Sequence, residues 1–338
     1  QPFFLWWWWW WWLFGSMEST HRCVPPFPST AWEQWNDLKH NTSLSTGCQG
    51  LDKLLGGGIN LGITEICGEA SVGKTQLVLQ LLLQATLPTK YGGLGGACCY
   101  ISTETGRYFP YRRLKEMADA LAEENPHLKD SIANCMDRIY LRFISLDMKY
   151  TEADFNWVLS KEIPVLLESH NVRLVVIDSI AAVYRQTFAF DKLGDRSLAL
   201  FQIASYLKRI SDENGCPVVV TNQVSDDFKS LENMSGSRYA RAYGRLSKGR
   251  TVVPALGFSW SSCVNTRIML TRSLSFNPDI PRYMHLIFSP AQKSGKVSFS
   301  ISKIGIRNML MTETQPLKTV ECCPEGNSDQ QRNFKSSK

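Results

Sequence analysis

The chain has 338 residues, 43% hydrophobic and 20% charged, which is enough length and core-forming content for one large α/β domain. That size excludes a small scaffold dependent on disulfide staples, and the ten cysteines show no CxxC spacing, so they read as thiols in a reducing compartment without a zinc site. The formal charge is +6, but five basic residues and no acid fall between Arg238 and Arg250, so the excess is a local feature and not a general surface property.

The first segment is anomalous. Phe3 to Phe14 is apolar throughout, Trp6 to Trp12 is unbroken, and the first methionine is Met17. The run has the length of a signal-peptide core, but no Lys or Arg precedes it. It also falls short of the roughly twenty residues of a spanning helix. Residues 1–16 are therefore expected to be translated upstream sequence or a gene-model error, with the protein beginning near Met17. Residues 17–43, polar and carrying Pro25, Pro26 and Pro28, read as a flexible lead-in.

From residue 44 strand-like and helix-like segments alternate. Short apolar runs rich in β-branched residues predict buried strands at 63–67, 97–103, 138–144, 173–178 and 217–222. Helical segments fall near 74–87, 110–124, 151–168 and 195–213. This order predicts a mainly parallel sheet with helices on both faces. The segments 264–271, 283–289 and 297–302 lack intervening helices and predict an antiparallel extension. Residues 313–338 are polar and expected to be disordered, leaving 44–312 as the folded domain. Cys67, Cys98, Cys99 and Cys263 lie in apolar runs, where cysteine acts as a small hydrophobe.

Gly68-Glu69-Ala70-Ser71-Val72-Gly73-Lys74-Thr75 fits GxxxxGK[ST], follows a strand and opens a helix. In such a loop backbone N–H groups cradle phosphates, Lys74 reaches the β- and γ-phosphates of ATP, and the Thr75 hydroxyl ligates Mg²⁺. A second Mg²⁺ anchor is expected at the end of a neighbouring strand, and Asp178, closing Leu174–Ile177, fits it. Glu104 and Gln223 each follow a predicted strand at the same sheet edge. Glu104 is a candidate to orient the attacking water, and Gln223 to contact the γ-phosphate. By position alone either is also an ordinary surface residue.

Together these residues resemble a known family. Thr46-Gly47-Cys48, Leu51-Asp52 and Leu54 through Ile59 precede the phosphate loop as in the RecA-like recombinases of eukaryotes and archaea. Tyr100 through Glu104, Val176 through Ser179 and Thr221 through Val224 follow in family order, and the resemblance spans about residues 44–307. Ile180-Ala181-Ala182, Arg250 through Gly257 with Trp260, and Leu286 through Pro290 resemble one strand-exchange recombinase paralog within it. The resemblance implies a RecA-like P-loop ATPase core. It also implies homologous recombination repair of double-strand breaks, meiotic recombination, a nuclear location with a cytoplasmic pool, and support of the main recombinase filament. The implied partner is another recombinase paralog, paralog C, as a heterodimer. It supports Glu104 as the hydrolytic glutamate and Gln223 as the γ-phosphate sensor.

Two departures stand out. Family members usually place an Arg-Pro pair after the glutamate, with the arginine on adenine. Here Phe109 precedes Pro110, so an aromatic face is the candidate for the base. No counterpart of the small N-terminal helical DNA-binding domain of many members is expected in this sequence.

The resemblance points two loops at single-stranded or branched DNA. The first, about Tyr184–Asp195, carries Arg185 and Lys192. The second, about Ser225–Val253, carries Arg238, Arg241, Arg245, Lys248 and Arg250 with Tyr239 and Tyr243. Cations neutralise phosphates, and interleaved tyrosines stack on bases. A solvated basic loop, or a helix facing an acidic partner, is the plainer reading of the same residues. Two functions stay open: a weak DNA-dependent ATPase, or a structural paralog using ATP as interface glue. A small-molecule kinase would need a substrate-lid segment, and none is evident.

Overall fold

The computed structural model describes residues 30–33, 43–103, 108–144, 151–186, 193–226, 238–273 and 281–309. The expected leader at 1–16, the tail at 313–338, Lys192 and Glu104 lie outside the described residues.

A nine-stranded sheet organises the chain in the order β12-β11-β10-β9-β1-β5-β4-β2-β3. Its strands are β1 (Ile63–Gly68), β2 (Ala97–Ser102), β3 (Ile139–Phe143), β4 (Val172–Asp178), β5 (Val218–Asn222), β9 (Thr266–Arg272), β10 (Arg282–Phe288), β11 (Gly295–Ile301) and β12 (Ile306–Asn308). A smaller antiparallel sheet, β6-β8-β7, uses β6 (Val224–Asp226), β7 (Arg245–Ser247) and β8 (Arg250–Pro254). The helices are α1 (Gln49–Leu55), α2 (Lys74–Thr86), α3 (Tyr111–Glu124), α4 (Lys129–Ala133), α5 (Thr151–Trp157), α6 (Ile163–His170), α7 (Ile180–Gln186), α8 (Leu193–Asn214), α9 (Arg238–Tyr243) and α10 (Gly257–Ser261). Among the described residues no helix is long and apolar enough to cross a membrane.

Strand periodicity builds two cores. Leu174, Val176 and Val219 enter the core under α2 and α3, whereas Val175, Ile177, Val218 and Val220 enter the one under α8. Burying both faces explains why these strands read as unbroken apolar runs. Each fully buried Val, Leu or Ile contributes about 1.5–3 kcal/mol. Helix α2 is buried along Leu77–Thr86, glutamines included. Gln80 is satisfied by the backbone: its Nε2 donates to the Thr46 carbonyl at 2.7 Å and its Oε1 accepts from Ile306 N at 2.6 Å.

The segment before the phosphate loop is built around Asp52. Its carboxylate accepts from Ser45 Oγ at 2.6 Å, Thr46 N at 2.7 Å and Thr46 Oγ1 at 2.6 Å, fixing the approach to α1. Gly58 has φ 139°, and a Cβ there would meet the Leu44 carbonyl oxygen at 2.1 Å, so only glycine fits that turn.

Two boundaries differ from the sequence reading. The antiparallel extension expected from residue 264 starts one strand later, because β9 pairs parallel with β1 and only β10, β11 and β12 reverse. After α10 the chain re-enters at the beginning of β1, where Asn265 N donates to the Ile63 carbonyl at 2.9 Å. The helix expected over 151–168 runs on to His170, with a π-turn at Val158–Glu162 just ahead of Pro164. A proline lacks the N–H that the regular ladder needs.

Candidate nucleotide site

The phosphate loop joins β1 to α2 at the C-terminal edge of the sheet. Gly73 takes φ 120°, in the region glycine favours, and turns the chain into α2. Val72 is fully buried and anchors the loop from below. The N-terminus of α2 has no side-chain cap and no acid in its first turn, so its amide end is open to an anion. Lys74 Nζ curls under the loop and donates to the carbonyls of Gly68 at 2.8 Å and Glu69 at 2.9 Å.

Asp178 emerges at the end of β4 as expected. It is 5% exposed, and its Oδ1 accepts from Thr221 Oγ1 at 2.6 Å while Oδ2 accepts from Tyr100 Oη at 3.0 Å. Thr75 Oγ1 lies 3.5 Å from Asp178 Oδ2, long for a hydrogen bond and close enough for both oxygens to serve one hard cation. β2 lies beside β4 with Ser102 opposite Asp178, and Thr103 N donates to the Asp178 carbonyl at 3.0 Å. Lys74, Thr75, Asp178 and Gln223 line one cavity of about 630 Å³ with Gly68, Glu69, Ala70 and Ser71. A second cavity of about 730 Å³ opens on the other flank of the loop, against Gln76, Arg113, Arg282 and Lys303.

The expectation for Phe109 is corrected. Its ring is 3% exposed and packs edge-on against Tyr100 and Tyr111, each with centroids 4.9 Å away, so it offers no face to a base. Phe109 instead braces Tyr100, whose hydroxyl supports Asp178. Arg113, which the sequence reading passed over, borders the second cavity and is held by Gln76 Oε1 at 2.7 Å and the Ser302 carbonyl at 2.6 Å.

The described parts of the basic segment, which exclude residues 227–237, carry secondary structure. The span expected as loop from about 225 to 253 contains β6, α9 and the β7–β8 hairpin. Arg185 falls on α7, and Arg238 and Arg241 fall on α9. Arg245 is half-buried and donates to the Gly244 carbonyl at 2.6 Å, with burial lowering the pKa of its guanidinium. Lys248 and Arg250, expected on a DNA-facing loop, also line the phosphate cavity. Arg250 pairs with Glu69 of the phosphate loop and Asp226 of β6.

Beneath the site sits a buried ion pair that sequence reading also missed. Glu65 of β1 and Arg267 of β9 are both fully buried and bonded to each other. Glu65 Oε1 also accepts from Asn222 Nδ2 at 2.6 Å and Trp260 Nε1 at 3.0 Å. Arg267 lies over the rings of Tyr243 at 5.2 Å and Phe288 at 5.1 Å. The available signal was a charge inside each of two apolar strands. Among the described residues no His, Cys, Asp and Glu cluster could hold a metal, and the seven described cysteines are free and buried.

The parallel sheet, the loop at its edge and the Asp178 anchor define a RecA-like P-loop nucleotide-binding protein. The Rad51 family profile matches residues 38–308, and the chain belongs to that family. It is 32% identical over 290 residues to the DNA repair protein XRCC3 homolog of Arabidopsis thaliana, covering 79% of this chain and 93% of that protein. It is 35% identical over 281 residues to mouse (Mus musculus) DNA repair protein XRCC3, covering 80% and 76% respectively. It is 30% identical over 284 residues to DNA repair protein rhp57 of Schizosaccharomyces pombe, covering 78% of each.

Proposed function

We propose that this chain is an ATP-binding recombinase paralog of the nucleus. In this reading it acts in homologous recombination repair of DNA double-strand breaks, binds DNA, pairs with another paralog (paralog C) and supports the main recombinase filament. The observation that carries it is the meeting of Lys74, Thr75, Asp178 and Gln223 in one cavity of a Rad51-family chain. The open amide end of α2 suits a polyphosphate. Lys74 is placed to leave the Gly68 and Glu69 carbonyls for β- and γ-phosphate oxygens, and Thr75 with Asp178 to hold Mg²⁺. Bound Mg²⁺–ATP supplies the scissile phosphoanhydride and its charge neutralisation.

Glu104 directly follows Thr103, whose N–H is bonded to the Asp178 carbonyl, and this chain position suits the water-orienting role. Gln223 follows Asn222, which is tied to buried Glu65, so a contact from its amide to the γ-phosphate would be made from a rigid strand end. Arg113, on the second cavity beside the loop, is a candidate contact for the rest of the nucleotide.

The decisive experiment is co-purification with candidate recombinase paralogs, then ATPase assay with and without single-stranded DNA. DNA-stimulated hydrolysis that Glu104→Gln abolishes is the expected result. A complex that forms equally well without nucleotide and ignores DNA would overturn the reading. Tight nucleotide binding without turnover would assign ATP the role of interface glue.

A further inference from the structure

Glu69 is the first residue after β1, on the loop that must receive phosphates. A carboxylate there repels the ligand unless it is neutralised. Its Oε2 accepts from Ser247 Oγ at 2.8 Å, and its Oε1 from Arg250 Nη2 at 2.5 Å. The other arm of the same guanidinium, Nη1, donates to Asp226 Oδ2 at 2.8 Å. Arg250 also lines the phosphate cavity together with Lys74, Asp178 and Gln223. One arginine thus bridges the phosphate loop and β6 across the mouth of the nucleotide site.

We infer that Arg250 is a further phosphate-directed cation of this site, held on Glu69 and Asp226 until a nucleoside triphosphate fills the cavity, when its guanidinium turns to the terminal phosphate. The inference rests on the ATP reading above.

Three features of the chain favour the exchange. The Arg250 side chain is 54% exposed, so its carboxylate pairs are solvent-screened and easily parted. Guanidinium stays charged in any environment and its fork matches phosphate oxygens as well as carboxylates. Glu69, whose side chain is 10% exposed, keeps the Ser247 hydroxyl when Arg250 leaves, so it is not stranded. Arg250 begins β8, and β8 pairs with β6, whose Val224 directly follows Gln223. A turn of Arg250 therefore acts on the same small sheet that carries the γ-phosphate candidate. ADP lacks the terminal phosphate and leaves Arg250 on its carboxylates.

The test compares ATPγS and ADP affinities of the full chain in Mg²⁺, by displacement of a fluorescent nucleotide. Arg250→Ala should weaken ATPγS by about tenfold and leave ADP within about twofold. Arg250→Lys, which keeps the charge and loses the fork, should weaken ATPγS by about threefold. Glu69→Gln should strengthen ATPγS by about threefold, and in the double variant it should recover part of the Arg250→Ala loss, since no bare carboxylate then faces the phosphates. An unchanged ATPγS-to-ADP ratio in Arg250→Ala, an equal loss for both nucleotides, or a loss confined to DNA affinity would each overturn the inference. A wild-type chain that bound neither nucleotide would overturn the ATP reading on which it stands.

Discussion

Glu65 and Glu69 lie four residues apart on one stretch of chain, and each is met by an arginine from the second half of the sequence. Their surroundings are opposite. The Glu65–Arg267 pair is wholly buried, bonded to Asn222, Trp260 and Ser261 and covered by two aromatic rings. The Glu69–Arg250 pair stands at the cavity edge, shared with Asp226 and open to water on its Arg250 side. The same chemistry gives a fixed joint inside the sheet and an exchangeable one at its edge. A buried charge cannot leave its partner without stranding it, whereas an exposed one has solvent as an alternative.

That contrast can be broken by substitution. Arg267→Ala should cost about 3–5 kcal/mol of stability in chemical denaturation, since it strands Glu65 in the core. A loss under about 1 kcal/mol would show the joint to be dispensable. At the edge, Asp178→Asn should lower nucleotide affinity by about tenfold in Mg²⁺ and leave the Mg²⁺-free affinity unchanged, as titrations with and without chelator would show.

His285 gives a smaller effect on the sheet face that carries Arg267. It lies opposite Met269 and shares a hydrogen bond of 2.9 Å with Thr271. Burial first, then Arg245 and Lys296, lower its pKa from 6.5 to about 4. The unfolded chain therefore takes up a proton that the folded chain refuses. Stability is full above the unfolded value and falls as the pH drops from about 6.5 towards 4, with about 1 kcal/mol lost between pH 7 and 5 after allowing for partial exposure. Thermal melts across pH should show that slope flattened in His285→Gln. The smallest expected effect is at Glu69, where Glu69→Gln should change stability by no more than about 0.5 kcal/mol in the same denaturation assay.

The chain's own order of residues determined a great deal. Apolar runs buried on both faces announced the parallel strands, and the spacing of glycines, Lys74 and Thr75 announced the loop, because these features depend on neighbours along the chain. Asp178 and Gln223 were legible for a related reason: a polar residue closing an apolar strand must emerge at one edge of a parallel sheet. Contacts between distant segments were not legible in this way. That Phe109 turns inward onto Tyr100 of β2 was decided by packing and not by its sequence neighbours. Nothing near Arg250 reveals that β8 folds back beside the phosphate loop, 181 positions from Glu69. Local pattern fixes which faces are apolar and which ends are polar. Only the packed sheet decides which charge meets which, because that depends on strand order and not on sequence distance.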